Sequence, residues 1–110
     1  MILFKRRNSD KEKQYDFSRF EGRFIVKAES VVWKRVDEKG VILNTKSAMY
    51  YDVEGVSLTI WEAIDGGIYF SELIEDIVRE YSRSEKTVTR DIIEFLDLMK
   101  KEGIIELNKR

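Results

Sequence analysis

The run Ala48 to Gly66, AMYYDVEGVSLTIWEAIDG, constrains the fold more than any other stretch of the chain. Its first half alternates: Met49, Tyr51 and Val53 fall on one side of an extended backbone. Val56, Ile60, Ala63 and Ile64 then recur at helical spacing. Asp65-Gly66-Gly67 stops that helix, because glycine enters the left-handed conformation that a helix end commonly needs. The chain therefore turns from a sheet strand straight into a helix, and the rest of the fold must be built around that corner.

Upstream the pattern is extended. From Phe24, Ile25 to Val36 carries Val31, Val32, Trp33 and Val36, rich in the β-branched and aromatic side chains that suit a pleated surface. Asp37-Glu38-Lys39-Gly40 reads as a turn, with Gly40 expected to supply a positive φ. Val41-Ile42-Leu43 opens a second strand, Asn44-Thr45-Lys46-Ser47 a second turn, and Ala48 to Val53 a third strand. Short polar turns between short apolar runs predict an antiparallel meander of three strands. Such a sheet needs a cover on its apolar face, and the helices that follow provide it.

The first helix is expected from about Glu54 to Ile64 and the second from Ser71 to Tyr81. In the second, Phe70, Leu73, Ile74, Ile77, Val78 and Tyr81 form one apolar face. Ser71 is the expected N-cap there. Glu72, Glu75 and Asp76 lie near the positive end of the dipole. Ser82-Arg83-Ser84 is a break, and Ser84 can cap a third helix whose buried stripe is Val88, Ile92, Phe95, Leu96 and Met99. Gly103 is its stop, and Ile104 to Leu107 reads as a terminal strand or extended tail. Two apolar residues, Ile93 and Leu98, lie on opposite flanks of the stripe. Either both widen the buried face or one lines a groove beside the third strand.

Residues 1 to 23 form a charged N-terminal extension, and residues 24 to 110 one folded domain. Lys5 to Gln14 has no apolar period, which fits a solvated terminus. A partner contact through Ile2, Leu3 and Phe4 is the other reading. Phe17, Phe20 and Phe24 are spaced for one face of a short docking helix. Composition then narrows the chemistry. The chain has no cysteine and no histidine, which removes disulfides, the usual zinc sites and imidazole acid–base catalysis. A net charge of −1 argues against a general polyanion binder. No apolar run reaches the length of about 20 residues that spans a bilayer, and the basic Lys5-Arg6-Arg7 follows the first apolar residues instead of preceding them, the reverse of a secretory signal. The expectation is a cytoplasmic protein without a membrane partner.

No catalytic constellation, metal site or cofactor motif is present; Gly66-Gly67 lacks the lysine spacing of a phosphate loop. The chain is expected to be a non-enzyme. The second and third helices with a terminal strand have the order of a winged helix-turn-helix domain. For reading DNA the third helix is poor, since Glu85, Glu94 and Asp97 lie among its basic groups and would repel phosphates. A winged-helix transcription regulator is therefore the alternative, not the main reading. The third strand offers more: an uncovered edge carries free N–H and C=O groups ready to pair with an extended peptide. The same edge could instead pair with a second copy of the chain.

Tyr50-Tyr51-x-Val53-x-x-Val56-Ser57-x-x-Ile60-Trp61-Glu62, followed by Asp65-Gly66, resembles the PqqD-like family of peptide-recognition domains, also called RiPP recognition elements. Gly40, Leu73, Ile77 to Tyr81, Arg90-Asp91-Ile92, Phe95-Leu96 and Gly103-Ile104-Ile105 continue the match in order, over about Ile25 to Leu107. Ser57 and Asp52 stand where members often carry glycine, and the charged extension is outside the family pattern. The resemblance implies an α+β, winged-helix-turn-helix-like fold, a three-stranded antiparallel sheet followed by three helices. It implies capture of the leader of a ribosomally made precursor peptide as an added strand between the third strand and the third helix. The leader is then presented to a modifying enzyme, such as a radical SAM maturase or a leader protease. Carried onto this sequence, the edge is Ala48, Met49, Tyr50, Tyr51, Asp52 and Val53. The helical wall is Thr89, Arg90, Ile93, Leu96, Asp97 and Lys100, with Asp91, Leu98 and Glu102 as the alternative flank. The expected assembly is a monomer or a weak dimer.

Overall fold

The corner between strand and helix falls where the alternation changes period. The computed structural model of the chain describes residues 17–109. A 3-10 turn, Phe17–Arg19, precedes β1 (Arg23–Lys27), β2 (Val31–Val36), β3 (Lys39–Asn44) and β4 (Met49–Glu54). Then come α1 (Val56–Ala63), β5 (Ile68–Tyr69), α2 (Phe70–Tyr81), α3 (Glu85–Lys101) and β6 (Ile105–Lys109). The expected reading of Lys5 to Gln14 lies outside the described residues.

Two three-stranded sheets result, ordered β2-β3-β4 and β5-β1-β6. The first is the expected meander. The second was not expected, because Ile25 to Val36 reads as one strand. It is two strands, in different sheets, broken at Ala28-Glu29-Ser30. The Val31 N–H donates to the Ala28 carbonyl at 3.1 Å, and the Ser30 carbonyl accepts from both the N–H and the hydroxyl of Thr45, at 2.8 and 2.7 Å. That turn contains no glycine or proline and is held partly from the β3–β4 loop, so no local pattern announces it. β1 is the central strand of its sheet: Ile25 pairs with Ile68 on one side and with Leu107 on the other. The terminal segment is thus a paired strand, not an extended tail.

Gly40 corrects a second expectation. The residue with positive φ in the β2–β3 turn is Asp37, at 58°, and Val36 pairs with Lys39 across a loop of Asp37 and Glu38 alone. A positive φ at the first loop residue is the signature of the mirror-image hairpin turns. Gly40 sits inside β3 for want of room: a Cβ there would come 2.9 Å from Leu58 Cδ1 and 2.9 Å from Val53 Cγ2. The phenylalanine spacing is also resolved differently. Phe20 is buried against the Phe70 ring at 5.5 Å, while Phe24 is in β1 and meets the Tyr69 ring edge-on at 5.0 Å. Helix α2 begins one residue early, with Tyr69 rather than Ser71 at its N-cap; the Tyr69 N–H donates to Glu72 Oε1 at 3.3 Å.

Elsewhere the local signals hold. The Ser84 hydroxyl accepts from the Thr87 N–H at 3.2 Å, and Gly103 takes φ 75° just past α3. The core runs between the sheets and helices through Ile25, Ile42, Val53, Trp61, Leu73, Ile92 and Phe95, all with no exposed surface. Lys27 couples the layers. Its ammonium lies 4.6 Å from the Trp33 ring and 4.5 Å from the Trp61 ring, with Asp65 Oδ1 at 3.2 Å. Burial pulls the Lys27 pKa down, against the upward pull of the Asp65 carboxylate. Among the described residues no helix is long and apolar enough to cross a membrane.

Candidate functional site

Strand β4 has β3 on one side and, among the described residues, no strand on the other. The register tells which backbone groups it leaves free. A two-residue hairpin closes on a hydrogen-bonded pair, here Val36 with Lys39. Alternation along β3 then turns the backbone of Gly40, Ile42 and Asn44 toward β4, onto Val53, Tyr51 and Met49. The N–H and C=O of Tyr50 and Asp52 consequently point to the open edge.

Side chains alternate in the perpendicular sense. Tyr51 and Val53 point into the core and are buried. Tyr50 and Asp52 point outward; Tyr50 is 67% exposed, the highest value among the large apolar side chains of the described residues. Met49, at the start of the strand, is 52% exposed. Ala48 precedes the strand in a left-handed conformation, φ 63°, its N–H donating to the Asn44 carbonyl at 2.7 Å.

The C-terminal end of α3 is fixed beside this strand by polar contacts. The Tyr51 hydroxyl donates to Glu102 Oε1 at 2.6 Å, and Asn44 Nδ2 donates to the Glu102 carbonyl at 3.1 Å. Asn44 is itself buried, and its Oδ1 accepts from the Lys46 N–H at 3.0 Å. One amide side chain therefore ties the β3–β4 turn to the helix end. Desolvation, and then the hydrogen bond to the Glu102 carboxylate, push the Tyr51 phenol up to about 12.

The opposite flank of α3 meets the N-terminal segment, where Arg19 forms an ion pair with Asp97. Ile93 and Glu102 are nine residues apart, which at about 100° per residue is half a turn around the helix. Of the helical residues expected at a peptide wall, Ile93 and Leu96 are buried, Asp97 is held by Arg19, Thr89 is half-buried, and Arg90 and Lys100 are exposed. Leu98 is half-buried, on the flank of Glu102. The sequence left the role of Asn44 unread: an asparagine before Thr45-Lys46-Ser47 looks like an ordinary turn residue, and its partner is at the far end of the chain.

The chain is similar to solved structures of other proteins. A structure of TbiB1 in complex with the TbiA(beta) leader peptide matches at TM-score 0.70 and 27% identity, covering 74% of this chain and 94% of that one. A lasso peptide synthetase B1 complexed with the leader peptide matches at TM-score 0.67 and 17% identity, covering 74% and 96%; this second likeness concerns the fold alone. No curated protein matches the chain. The model of the family described as coenzyme PQQ synthesis protein D (PqqD) matches residues 39–105, from the start of β3 through all three helices to the first residue of β6. That is well over half of the sequence, and the chain belongs to the PqqD family.

Proposed function

We propose that this protein is a non-enzymatic adaptor. It captures the leader segment of a ribosomally made precursor peptide as an extra strand on β4 and presents the remainder to a modifying enzyme, a radical SAM maturase or a leader protease. The carrying observation is the open edge at Tyr50 and Asp52, in a chain of the PqqD family that is similar to TbiB1 bound to a leader peptide. Pairing there satisfies backbone donors and acceptors on both partners without any catalytic side chain. A precursor made by ribosomes places the adaptor in the cytoplasm.

The edge is Ala48 to Val53. For the helical wall the contacts favour the flank of Asp91, Leu98 and Glu102, because Glu102 is tied to Tyr51 of β4, whereas Asp97 is engaged by Arg19. Transcription regulation has weaker support, since Glu85, Asp91, Glu94 and Asp97 all lie on the helix that would read DNA.

The test is an amide-shift titration of the labelled chain with the leader of the precursor encoded beside its gene. Shifts concentrated at Tyr50, Asp52 and Leu98 are expected. Tyr50→Pro removes an outward N–H and is expected to weaken binding about tenfold or more while the domain stays folded. Saturating leader that leaves the β4 amides unmoved, while a DNA duplex moves those of α3, would sink the proposal.

A further inference from the structure

The C-terminal end of α3 is closed twice, once by its own chain and once from the sheet. Gly103 and Ile104 turn back so that their N–H groups donate to the Lys100 and Met99 carbonyls, both at 3.0 Å. The Glu102 carbonyl is not used in that turn, and it accepts from Asn44 Nδ2 at 3.1 Å. The Glu102 carboxylate accepts from the Tyr51 hydroxyl at 2.6 Å. One residue at the end of α3 is therefore held by β3 through its backbone and by β4 through its side chain.

These bonds do something that the core beneath the helix does not. Val88, Ile92, Phe95, Leu96 and Met99 bury α3, but apolar burial is non-directional, whereas a hydrogen bond fixes distance and angle. Asn44 and Tyr51 are each only 5% exposed, so both bonds form out of water, where a lost partner is costly. Tyr51 also lies between Tyr50 and Asp52, whose backbone groups face the open edge. A shift at Glu102 thus passes through one side chain to the two residues that would pair with an incoming strand. Such a strand lies about 4.8 Å beyond β4 and has to fit beside α3.

Resting on the reading that β4 captures a peptide, we infer that Glu102, Tyr51 and Asn44 are positioning residues for that capture: they hold the end of α3 at the spacing from β4 that an added strand requires. The open edge supplies the donors and acceptors, and the latch at Glu102 presets the gap beside it. A preset gap spares the complex the cost of ordering the two elements on binding. With the latch broken, the core still holds the helix, but the leader must itself bring α3 and β4 into register, and its affinity falls by that cost.

The test titrates the full chain and its variants with a synthetic peptide of the leader encoded beside its gene, at a temperature where the amide spectrum shows each variant folded. Tyr51→Phe and Glu102→Ala are each expected to weaken binding about three- to tenfold. Combined, they weaken it no further than either alone, because both break the same bond. Glu102→Gln keeps an acceptor for the hydroxyl and recovers most of what Glu102→Ala loses. Ile25→Val, in the sheet β5-β1-β6, is the control: it lowers stability by an amount comparable to Tyr51→Phe and leaves leader affinity unchanged. A folded Tyr51→Phe chain that binds as tightly as the native one overturns the positioning role. An equal loss in Ile25→Val overturns it too, by tracing the effect to stability. Additive losses in the double variant mean that Glu102 touches the leader directly, and overturn the latch. A leader that moves no β4 amide of the native chain overturns strand capture itself, and the inference with it.

Discussion

The meander β2-β3-β4 is made by neighbours in sequence, joined by loops of two and four residues, whereas β5-β1-β6 binds β1 to segments from the middle and the far end of the chain. In the second sheet the central strand is paired along its whole length with β6 and at Phe24 and Ile25 with β5, and Arg23 reaches across to donate to the Leu107 carbonyl at 2.9 Å. Among the described residues the first sheet ends at β2 and at β4, each with its outer edge unpaired. The difference shows a division of labour. The non-local sheet ties the two ends of the domain together, and the local sheet can then expose an edge without unravelling, because its hairpins and the core beneath Tyr51 and Val53 already hold it. The closing sheet also has edge strands, β5 and β6, but its long-range tie runs through β1 between them.

Ile25→Ala is the harshest way to break that comparison. The side chain has no exposed surface and sits mid-strand in the closing sheet, so a loss of about 2–4 kcal/mol is expected in urea unfolding. A loss below about 1 kcal/mol would mean that this sheet is dispensable. Gly40→Ala probes the meander's underside, where Leu58 and Val53 leave no room for a Cβ. Overpacking there is expected to cost about 1–3 kcal/mol, and a neutral variant would return Gly40 to a turn role.

Tyr51→Phe addresses the tie between β4 and α3. It is expected to cost about 1 kcal/mol and to change the alkaline behaviour. Folding raises the phenol from 10.0 to about 12, so the folded state holds this proton more tightly than the unfolded one. The contribution is complete below the unfolded pKa and is lost as pH rises through the folded one. Unfolding free energies measured from neutral pH to pH 12 should fall in this upper window, and fall less in the phenylalanine variant. Equal decline in both would detach the effect from Tyr51. Tyr50→Pro is the gentlest toward stability, within about 0.5 kcal/mol, because an outward N–H on an edge strand has no ladder partner to lose. Its signature is weaker leader binding in a domain that melts normally.

Much of the local architecture was legible. The 3.6-residue period of α2 and α3, the hydroxyl of Ser84 and the glycines at positions 66 and 103 each act within a turn or two of the residues they organise. Of the alternating set in the third expected strand, Tyr51 and Val53 are buried. The edge itself was legible only as a possibility: a sequence names a strand, not what lies next to it. The α3 wall was less legible still. Ile93 and Leu98 are equally apolar and lie on opposite flanks, and only contacts with Arg19 on one side and Tyr51 on the other distinguish them.

By itself, then, the sequence determined three helices, two hairpins and their stops, together with a chain lacking the cysteine and histidine of the commonest catalytic and metal sites. These follow from backbone preferences and side-chain periods, which are properties of adjacent residues. Tertiary structure decided the break at Ala28-Glu29-Ser30, the central place of β1, the tight packing around Gly40 and the flank of α3 that faces β4. Each of these depends on groups distant in sequence: Thr45 for the break, Ile68 and Leu107 for β1, Leu58 for Gly40, Tyr51 and Asn44 for the helix. Hydrogen bonds and excluded volume between such groups exist only after the chain has closed on itself, so no local pattern can carry them.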